Sequence, residues 1–294
     1  MILDDLTAAV AKRLVTDKQQ VPLEVMKARA LAAPKKEGFP FEKNLGKPGL
    51  SFICEVKKAS PSKGLIAPDF PYVAIAKEYE QAGAAAISVL TERDYFLGSP
   101  QYLQEIAAAV TTPVLRKDFV IDEYQIYEAR ALGASAVLLI CAILDDERLR
   151  HFFQLADSLG LSALVEAHDE DEVRRAIASG ARVIGVNNRN LKDFTVSLDT
   201  SCPPAAAGAE GYSLRCRVNN RNLKDFTVSL DTSCRLRPLV PKDILFVAES
   251  GIKTADHTKV LRDHGVDAVL IGETFMRSPD KKAMLDELAG GSRG

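Results

Sequence analysis

Short apolar segments alternate with amphipathic segments along most of the chain, and each apolar segment ends in polar residues. The apolar segments are rich in Val, Ile and Leu and predict strands, whereas the amphipathic segments have helical spacing and often stop at a glycine. Strands that are apolar on both faces are typical of a parallel sheet covered by helices, and this many βα units favour closure into a (β/α)8 TIM barrel. The predicted strands are Phe52–Val56, Ala86–Leu90, Pro113–Lys117, Ala136–Ile140, Ser162–Glu166, Val183–Val186, Leu245–Ala248 and Ala268–Ile271. The predicted helices among and after them are Phe70–Ala82, Gln101–Val110, Asp122–Leu132, Asp145–Leu159, Asp169–Ser179, Thr254–His264 and Lys281–Leu288.

A helical extension precedes the first predicted strand. An apolar stripe at helical spacing runs through Ile2–Ala33, and Pro34–Pro48 is a polar connector rich in Lys, Gly and Pro. Since α/β barrels of about 250 residues fold as one unit, we expect residues 1–294 to form a single domain in which residues 1–48 are the extension and connector.

One stretch of the chain occurs twice. Val186–Cys202 and Val218–Cys234 are identical at an offset of 32 residues, which indicates a single tandem duplication. A good strand precedes the first copy and a helical segment follows the second, so we assign the barrel strand to the first copy and the next helix to the second. Residues from about 190–228 are then surplus, and we expect them to form a surface loop. Asn187, and not its duplicate Asn219, is expected at the barrel.

Composition and charge exclude several classes of function. The 294 residues carry a net charge of −2, which gives no general attraction to nucleic acid or to acidic membranes. The first residues lack the basic and apolar regions of a signal peptide. The longest apolar stretch is shorter than the roughly 20 residues that span a bilayer. We therefore expect a cytoplasmic monomer without nucleic-acid or membrane partners.

Neither the cysteines nor the histidines suggest a metal site. The five cysteines show no CxxC or Cys/His metal spacing, and Cys54 and Cys141 lie inside predicted strands, which is typical of buried thiols in a reducing cytoplasm. The four histidines form no ligand set, and we interpret all of them, including His168, as residues of helix surfaces. The sequence thus predicts no metal.

Ionisable side chains stand at the predicted strand ends, which meet at one mouth if the sheet closes. Glu55 and Lys57 alternate on one strand and so face the same way, although a surface ion pair on an edge strand is an alternative. Lys117 has Arg116 beside it, so we expect a pKa lowered by a neighbouring cation, as suits a proton donor, unless the lysine is simply solvated. Glu166 among apolar neighbours is expected to have a raised pKa and to act as an acid or base. Its alternative role is that of a carboxylate near a helix N-terminus.

Amide, guanidinium and glycine residues stand at other strand ends. Asn187 and Arg189 can orient hydroxyl and carboxylate groups, although turn chemistry explains the same residues. Gly251 and Gly272 follow the last two strands, where barrel loops usually bind phosphate through backbone N–H groups. Together these two loops predict a phosphate site.

Taken in order, the residues at the strand ends resemble the indole-3-glycerol-phosphate synthase family over nearly the whole chain, apart from the duplicated stretch. The matching motifs are Glu55–Lys57 with Ser60–Ser62, Leu115–Phe119, Leu164–Glu166, Gly185–Arg189, Ala248–Gly251 and Ile271–Glu273. The resemblance implies a decarboxylating lyase of tryptophan biosynthesis. Such an enzyme converts 1-(2-carboxyphenylamino)-1-deoxyribulose 5-phosphate to indole-3-glycerol phosphate with loss of CO₂ and water. The resemblance implies a small phosphorylated substrate, no metal and no organic cofactor.

The resemblance also implies a role for each matching residue. It implies that Lys117 is the general acid of ring closure and that Glu166 is the partner acid/base of dehydration. Lys57, steered by Glu55, is implied to contact the substrate and to share in proton transfer. Asn187 and Glu249 are implied to position the anilino and hydroxyl groups, and Phe119 to pack on the aromatic ring. The implied phosphate-binding residues are Ser60, Ser250, Gly251, Gly272 and the backbone of Glu273.

Three other hypotheses are open at this point. A different phosphate-binding barrel, such as a sugar-phosphate isomerase or epimerase, fits the same fold, because fold does not fix function. Alternatively, the duplication has spoiled the site and left a protein that only binds anions. The third hypothesis is that the duplication creates a domain-swapped or oligomeric assembly. Measurements of CO₂ release and of light scattering distinguish these hypotheses.

Overall fold

The fold is described by a computed structural model that covers residues 2–34, 36–61, 63–188 and 230–291. Over these residues, eight parallel strands close into a barrel, and two short strands form an antiparallel hairpin. The strands are β1 (Ser51–Val56), β2 (Ala59–Ser60), β3 (Gly64–Leu65), β4 (Ala86–Leu90), β5 (Val114–Lys117), β6 (Ala136–Ile140), β7 (Ser162–Ala167), β8 (Val183–Asn187), β9 (Leu245–Glu249) and β10 (Ala268–Ile271). The hairpin is β2–β3, and β10 pairs with β1 to close the ring. The predicted TIM barrel is confirmed.

Helices cover the outside of the barrel and one of its ends. The described helices are α1 (Ile2–Gln20), α2 (Leu23–Ala32), α3 (Pro40–Leu45), α4 (Tyr72–Ala82), α5 (Pro100–Ala109), α6 (Glu123–Ala131), α7 (Asp146–Ser158), α8 (Glu170–Ala178), α9 (Asp231–Leu236), α10 (Ala255–Asp263), α11 (Glu273–Arg277) and α12 (Lys281–Leu288). Several of them begin after a side chain that accepts a backbone N–H of the first turn, as Asp122, Asp145 and Asp169 do. None of these described helices has both the length and the apolar character needed to cross a membrane.

The two faces of each barrel strand are buried in different clusters. On β1, Cys54 packs outward against the helices, whereas Ile53 lies in the cluster that fills the barrel interior. Because side chains alternate along a strand, Glu55 follows Ile53 on the interior face. On β7, Glu166 follows the interior residue Leu164 in the same way. The charged strand ends are therefore continuations of the barrel interior.

The N-terminal region holds more structure than the sequence suggested. Part of the predicted connector Pro34–Pro48 forms α3, whose Phe41 and Leu45 are fully buried in the interior cluster. These side chains lie four residues apart on one helix face and close the barrel at the end opposite to the charged strand ends. In contrast, α1 lies beside the loop that follows β4, where its Arg13 is 3.3 Å from Glu92.

The strand and the helix that flank the surplus residues come from the two copies to which the sequence analysis assigned them. The first copy supplies the end of β8, through Asn187, and the second supplies the start of α9 at Asp231. Helix α9 packs against β8. The surplus residues from about 190–228, together with Arg189 and Asn219, lie outside the described residues.

Candidate active site

An ion pair lies at the end of β1. The Nζ atom of Lys57 is 2.6 Å from Oε1 of Glu55, and the two side chains are only 15% and 6% exposed. A closed barrel has no edge strand, so the alternative of a surface pair on an edge is wrong. Gly272, at the end of the neighbouring β10, leaves room for this pair, because a Cβ there would lie 2.5 Å from Oε1 of Glu55.

A second group of charges comes from three other strands. Nζ of Lys117 on β5 lies 3.6 Å from Oε2 of Glu166 on β7 and 4.0 Å from Oε2 of Glu249 on β9. Residues far apart in the sequence therefore meet in one site. The lysine side chain is 17% exposed and each carboxylate 2%, so water screens these charges poorly.

The pKa of Lys117 moves opposite to the expectation. Burial by itself lowers this pKa, but the neighbouring carboxylates, Glu166 foremost, outweigh burial and raise it. Arg116 points to the other face of β5, where its guanidinium lies 2.7 Å from the Glu128 carboxylate. The predicted lowering is therefore wrong, and Lys117 is protonated at neutral pH.

The two carboxylates beside Lys117 are driven toward different protonation states. Burial raises the pKa of Glu249, and the negative charge of Glu166 raises it further. Burial acts on Glu166 as well, but Lys117 and His168 reverse its effect and hold the pKa of Glu166 below the ordinary value. The raised pKa that we predicted for Glu166 is therefore wrong, and Glu249 is the carboxylate whose pKa is raised. Adjacent carboxyl groups diverge in this way because ionising both brings two negative charges together.

Two consecutive asparagines at the end of β8 make different contacts. Asn187 donates from Nδ2 to Oε1 of Glu166 at 3.3 Å. Asn188 donates to the backbone oxygen of Glu249 at 3.0 Å and accepts from the hydroxyl of Ser233 at 2.9 Å. The first side chain therefore contacts the charged site, whereas the second connects β8 to β9 and α9.

The prediction that His168 lies on a helix surface is also wrong. His168 precedes α8, and its side chain is only 17% exposed instead of lying on a helix surface. Its Nε2 lies 3.3 Å from Oε1 of Glu166, and its Nδ1 lies 2.9 Å from Oε2 of Glu172. The alternate spacing of Leu164, Glu166 and His168 was the sequence signal that could have found it, because alternate residues share a face.

Two aromatic rings meet just beyond the end of β5. Phe119, the residue expected to pack on the substrate ring, is half-buried, and its ring centroid lies 6.3 Å from that of Phe96. The loop that carries Phe96 folds around Glu92, whose carboxylate accepts the backbone N–H groups of Tyr95 and Phe96 at 2.7 and 2.9 Å. Phe96 was not among the predicted site residues, and no pattern in the surrounding sequence singles it out.

The loops after β9 and β10, which were predicted to bind phosphate, lie next to each other. Thr274 donates from Oγ1 to the backbone oxygen of Ile252 at 3.1 Å and so connects the two loops. Ser250 has a φ of 68°, a left-handed conformation that is uncommon for residues other than glycine, and Gly251 follows with a φ of 82°. Strained backbone of this kind is frequent at functional sites.

The remaining predicted site residues are divided between the described and undescribed parts of the chain. Ser60 is buried on β2, in the hairpin after β1, and Glu273 is the first residue of α11 after Gly272. Arg189 lies outside the described residues. In the part of the chain that the structure describes, no group of His, Cys, Asp and Glu side chains could hold a metal ion.

Known proteins are similar to this chain in sequence and in fold. The family model described as indole-3-glycerol phosphate synthase matches residues 3–204 and 216–288. An indole-3-glycerol phosphate synthase from Ruminiclostridium cellulolyticum is 50% identical over 290 residues, which cover 99% of each chain. Another from Endomicrobium trichonymphae is 50% identical over 288 residues, which cover 98% of this chain and 99% of the relative.

Solved structures with much lower sequence identity are similar in fold alone. Thiamine phosphate pyrophosphorylase from Pyrococcus furiosus has a TM-score of 0.54 at 16% identity, over 84% of this chain and 96% of that one. The 3-hexulose-6-phosphate synthase from Salmonella typhimurium has a TM-score of 0.55 at 13% identity, over 82% of this chain and 97% of that one. The full-length relatives and the family match decide the identity: the chain belongs to the indole-3-glycerol-phosphate synthase family of carboxy-lyases in tryptophan biosynthesis.

Proposed function

We propose specific roles for the residues at the barrel mouth in the ring closure that this family catalyses. The observation that carries the proposal is the group formed by Lys117, Glu166 and Glu249. The ammonium group lies 3.6 and 4.0 Å from the two carboxylates. Their environments favour a protonated lysine, an ionised Glu166 and a protonated Glu249 at neutral pH.

The reaction needs protons at defined places. When the new carbon–carbon bond forms, the carbonyl oxygen takes up a proton and becomes a hydroxyl group. CO₂ then leaves without a proton, and its bonding electrons restore the aromatic ring. The hydroxyl group takes a second proton to leave as water, and the carbon beside the nitrogen loses one proton to complete the double bond. Two protons are therefore taken up and one is returned.

The charged residues match this demand. Lys117, which is held protonated, donates the proton to the carbonyl oxygen in ring closure. Glu166, which is held ionised, accepts the proton from carbon during dehydration. Lys57, fixed by Glu55 at 2.6 Å, contacts the substrate and shares in proton transfer to the leaving hydroxyl group.

The other residues hold the substrate in a folded shape. Asn187 and Glu249 position its anilino and hydroxyl groups, and Phe119 packs on its aromatic ring. The phosphate is bound in the loops after β1, β9 and β10 by Ser60, Ser250, Gly251, Gly272 and the backbone of Glu273. Arg189 is the proposed clamp for the carboxylate. Fixing both ends of the substrate brings the two reacting carbons together, which is a large part of catalysis in ring closure.

The test of the proposal is the variant Lys117→Ala in an assay that follows indole fluorescence and CO₂ release. We expect kcat to fall by about 10²- to 10⁴-fold, the usual contribution of a positioned proton donor, with a smaller change in KM. The matched control is Lys259→Ala, because Lys259 is an exposed residue of α10 that pairs with Asp263. Decarboxylation at the unchanged rate in Lys117→Ala would rule out the proposed acid.

We also propose that the chain acts as a single-domain monomer in the cytoplasm, without a nucleic-acid partner. The net charge of −2 supports the absence of a nucleic-acid partner. Cys54 and Cys141 are buried free thiols in the described part of the chain, which is typical of a reducing compartment. Light scattering of the purified protein should give the mass of one chain, and a dimer mass would contradict the proposal.

A further inference from the structure

We infer that His168 is a positioning residue for Glu166. Held by Glu172, it fixes one carboxylate oxygen of Glu166 so that the other oxygen faces Lys117 and the substrate. This inference rests on the acid/base role proposed above for Glu166, and it adds a residue on which that role depends.

The position of His168 is fixed through its ring and its backbone together. Oε2 of Glu172 accepts the backbone N–H of His168 at 2.8 Å and lies 2.9 Å from the ring Nδ1. Glu172 itself lies in the first turn of α8, where its backbone N–H donates to Asp169 at 2.9 Å. Because the ring is held at Nδ1, its Nε2 is turned toward Glu166, at 3.3 Å.

The two oxygens of Glu166 have different neighbours. Oε1 lies 3.3 Å from Nε2 of His168 and accepts from Nδ2 of Asn187, also at 3.3 Å. Oε2 is buried and lies 3.6 Å from Nζ of Lys117, without a hydrogen bond to the described residues. Nε2 of His168 also makes no hydrogen bond to the described residues, so its contact with Oε1 is that of an ion pair. Oε1 is thus held by Asn187 and His168, whereas Oε2 faces the Lys117 ammonium group with no other hydrogen bond to the described residues. An oxygen without a hydrogen bond of its own is the one that can take up a proton.

His168 also contributes charge to the site. Burial by itself lowers the pKa of His168, but Glu166 and Glu172 raise it to about 10, so the ring is an imidazolium at neutral pH. Among the described residues, the titratable groups near Glu166 are Lys117 from β5, Glu249 from β9, Cys141 after β6 and His168 itself, and Glu172 from α8 faces His168. Losing the imidazolium removes a positive charge from beside Glu166, so the pKa of Glu166 rises in its absence.

The experiment compares the pH dependence of kcat in the wild type, His168→Ala and His168→Gln. We expect His168→Ala to lower kcat by about 10- to 100-fold with little change in KM, and to move the acid limb of the profile to higher pH. His168→Gln keeps an uncharged donor of similar reach, so it should recover part of kcat while its acid limb stays at the higher pH. His151→Ala is the matched control, because His151 is on α7 with a side chain 58% exposed, and it should behave as the wild type.

The outcomes separate the inference from the role of Glu166. If His168→Ala has a wild-type profile, or loses kcat without a shift of the acid limb, His168 does not position Glu166. If His168→Ala does not fold, the acid limb of His168→Gln decides in the same way. Glu166→Gln is measured alongside, because wild-type turnover in that variant would refute the proposed function itself.

Discussion

Gly185 on β8 provides the sharpest test of how the site is assembled. A Cβ at this position would lie 2.2 Å from Oε1 of Glu249 and 3.1 Å from Cδ1 of Leu164, whereas ordinary contacts begin at 3.4 Å. In Gly185→Ala the carboxylate therefore has to move by about 1 Å, and an error of that size in a catalytic site costs about 100-fold in rate. Gly185 is not among the glycines with positive φ, so alanine adds no backbone strain of its own. We expect kcat to fall by about 100-fold while the barrel stays folded.

The assay is steady-state indole formation together with thermal unfolding, since overpacking alone costs about 1–3 kcal/mol of stability. Gly46→Ala is the matched control, because an added Cβ at Gly46 meets its nearest atoms at 3.4 and 3.7 Å. If Gly185→Ala acts through the carboxylate, it should cost little more when added to Glu249→Ala. Wild-type turnover in Gly185→Ala, or the full loss repeated in the Glu249→Ala background, would refute the reasoning.

Two further predictions concern the buried carboxylates Glu55 and Glu249. Gly272→Ala would place a Cβ 2.5 Å from Oε1 of Glu55 and 2.7 Å from Nζ of Lys57, so it should separate that pair. The expected loss in kcat is at least about tenfold, and steady-state kinetics that match the wild type would contradict it. Glu249→Gln should abolish a loss of stability with rising pH. The folded-state pKa of Glu249 is raised to about 8, above its unfolded value, so the wild type loses stability as pH rises between those two values. Urea unfolding at about pH 5 and about pH 9 measures this loss, and an equal change in both proteins would count against a raised pKa.

The barrel could be predicted because its signals are local. The strands Ala86–Leu90 and Ala268–Ile271 lie where the apolar pattern placed them, and the polar strand ends meet as parallel closure requires. Helix α3 could not be predicted in the same way. Its only apolar signal is the pair Phe41 and Leu45, and their burial depends on a barrel end that forms from distant strands.

The protonation states could not be predicted, because they depend on spatial neighbours and not on sequence neighbours. Arg116 precedes Lys117 in the chain but faces the opposite side of β5, so it does not lower the lysine pKa. Glu166 lies in an apolar segment, yet Lys117 and His168 supply enough positive charge to overcome burial. Burial does raise the pKa of Glu249, which lies about 80 positions further along the chain.

The glycines at the mouth follow from the same geometry. In a barrel of this kind the interior is filled by side chains from every strand, so a long charged side chain needs a neighbour that gives up its share of the space. Gly185 is the register partner of Glu166 and leaves room for Glu249, and Gly272 leaves room for Glu55 and Lys57. We therefore expect each glycine to affect catalysis through the space that it leaves for these side chains. A substitution at either position should therefore lower turnover while the barrel stays folded.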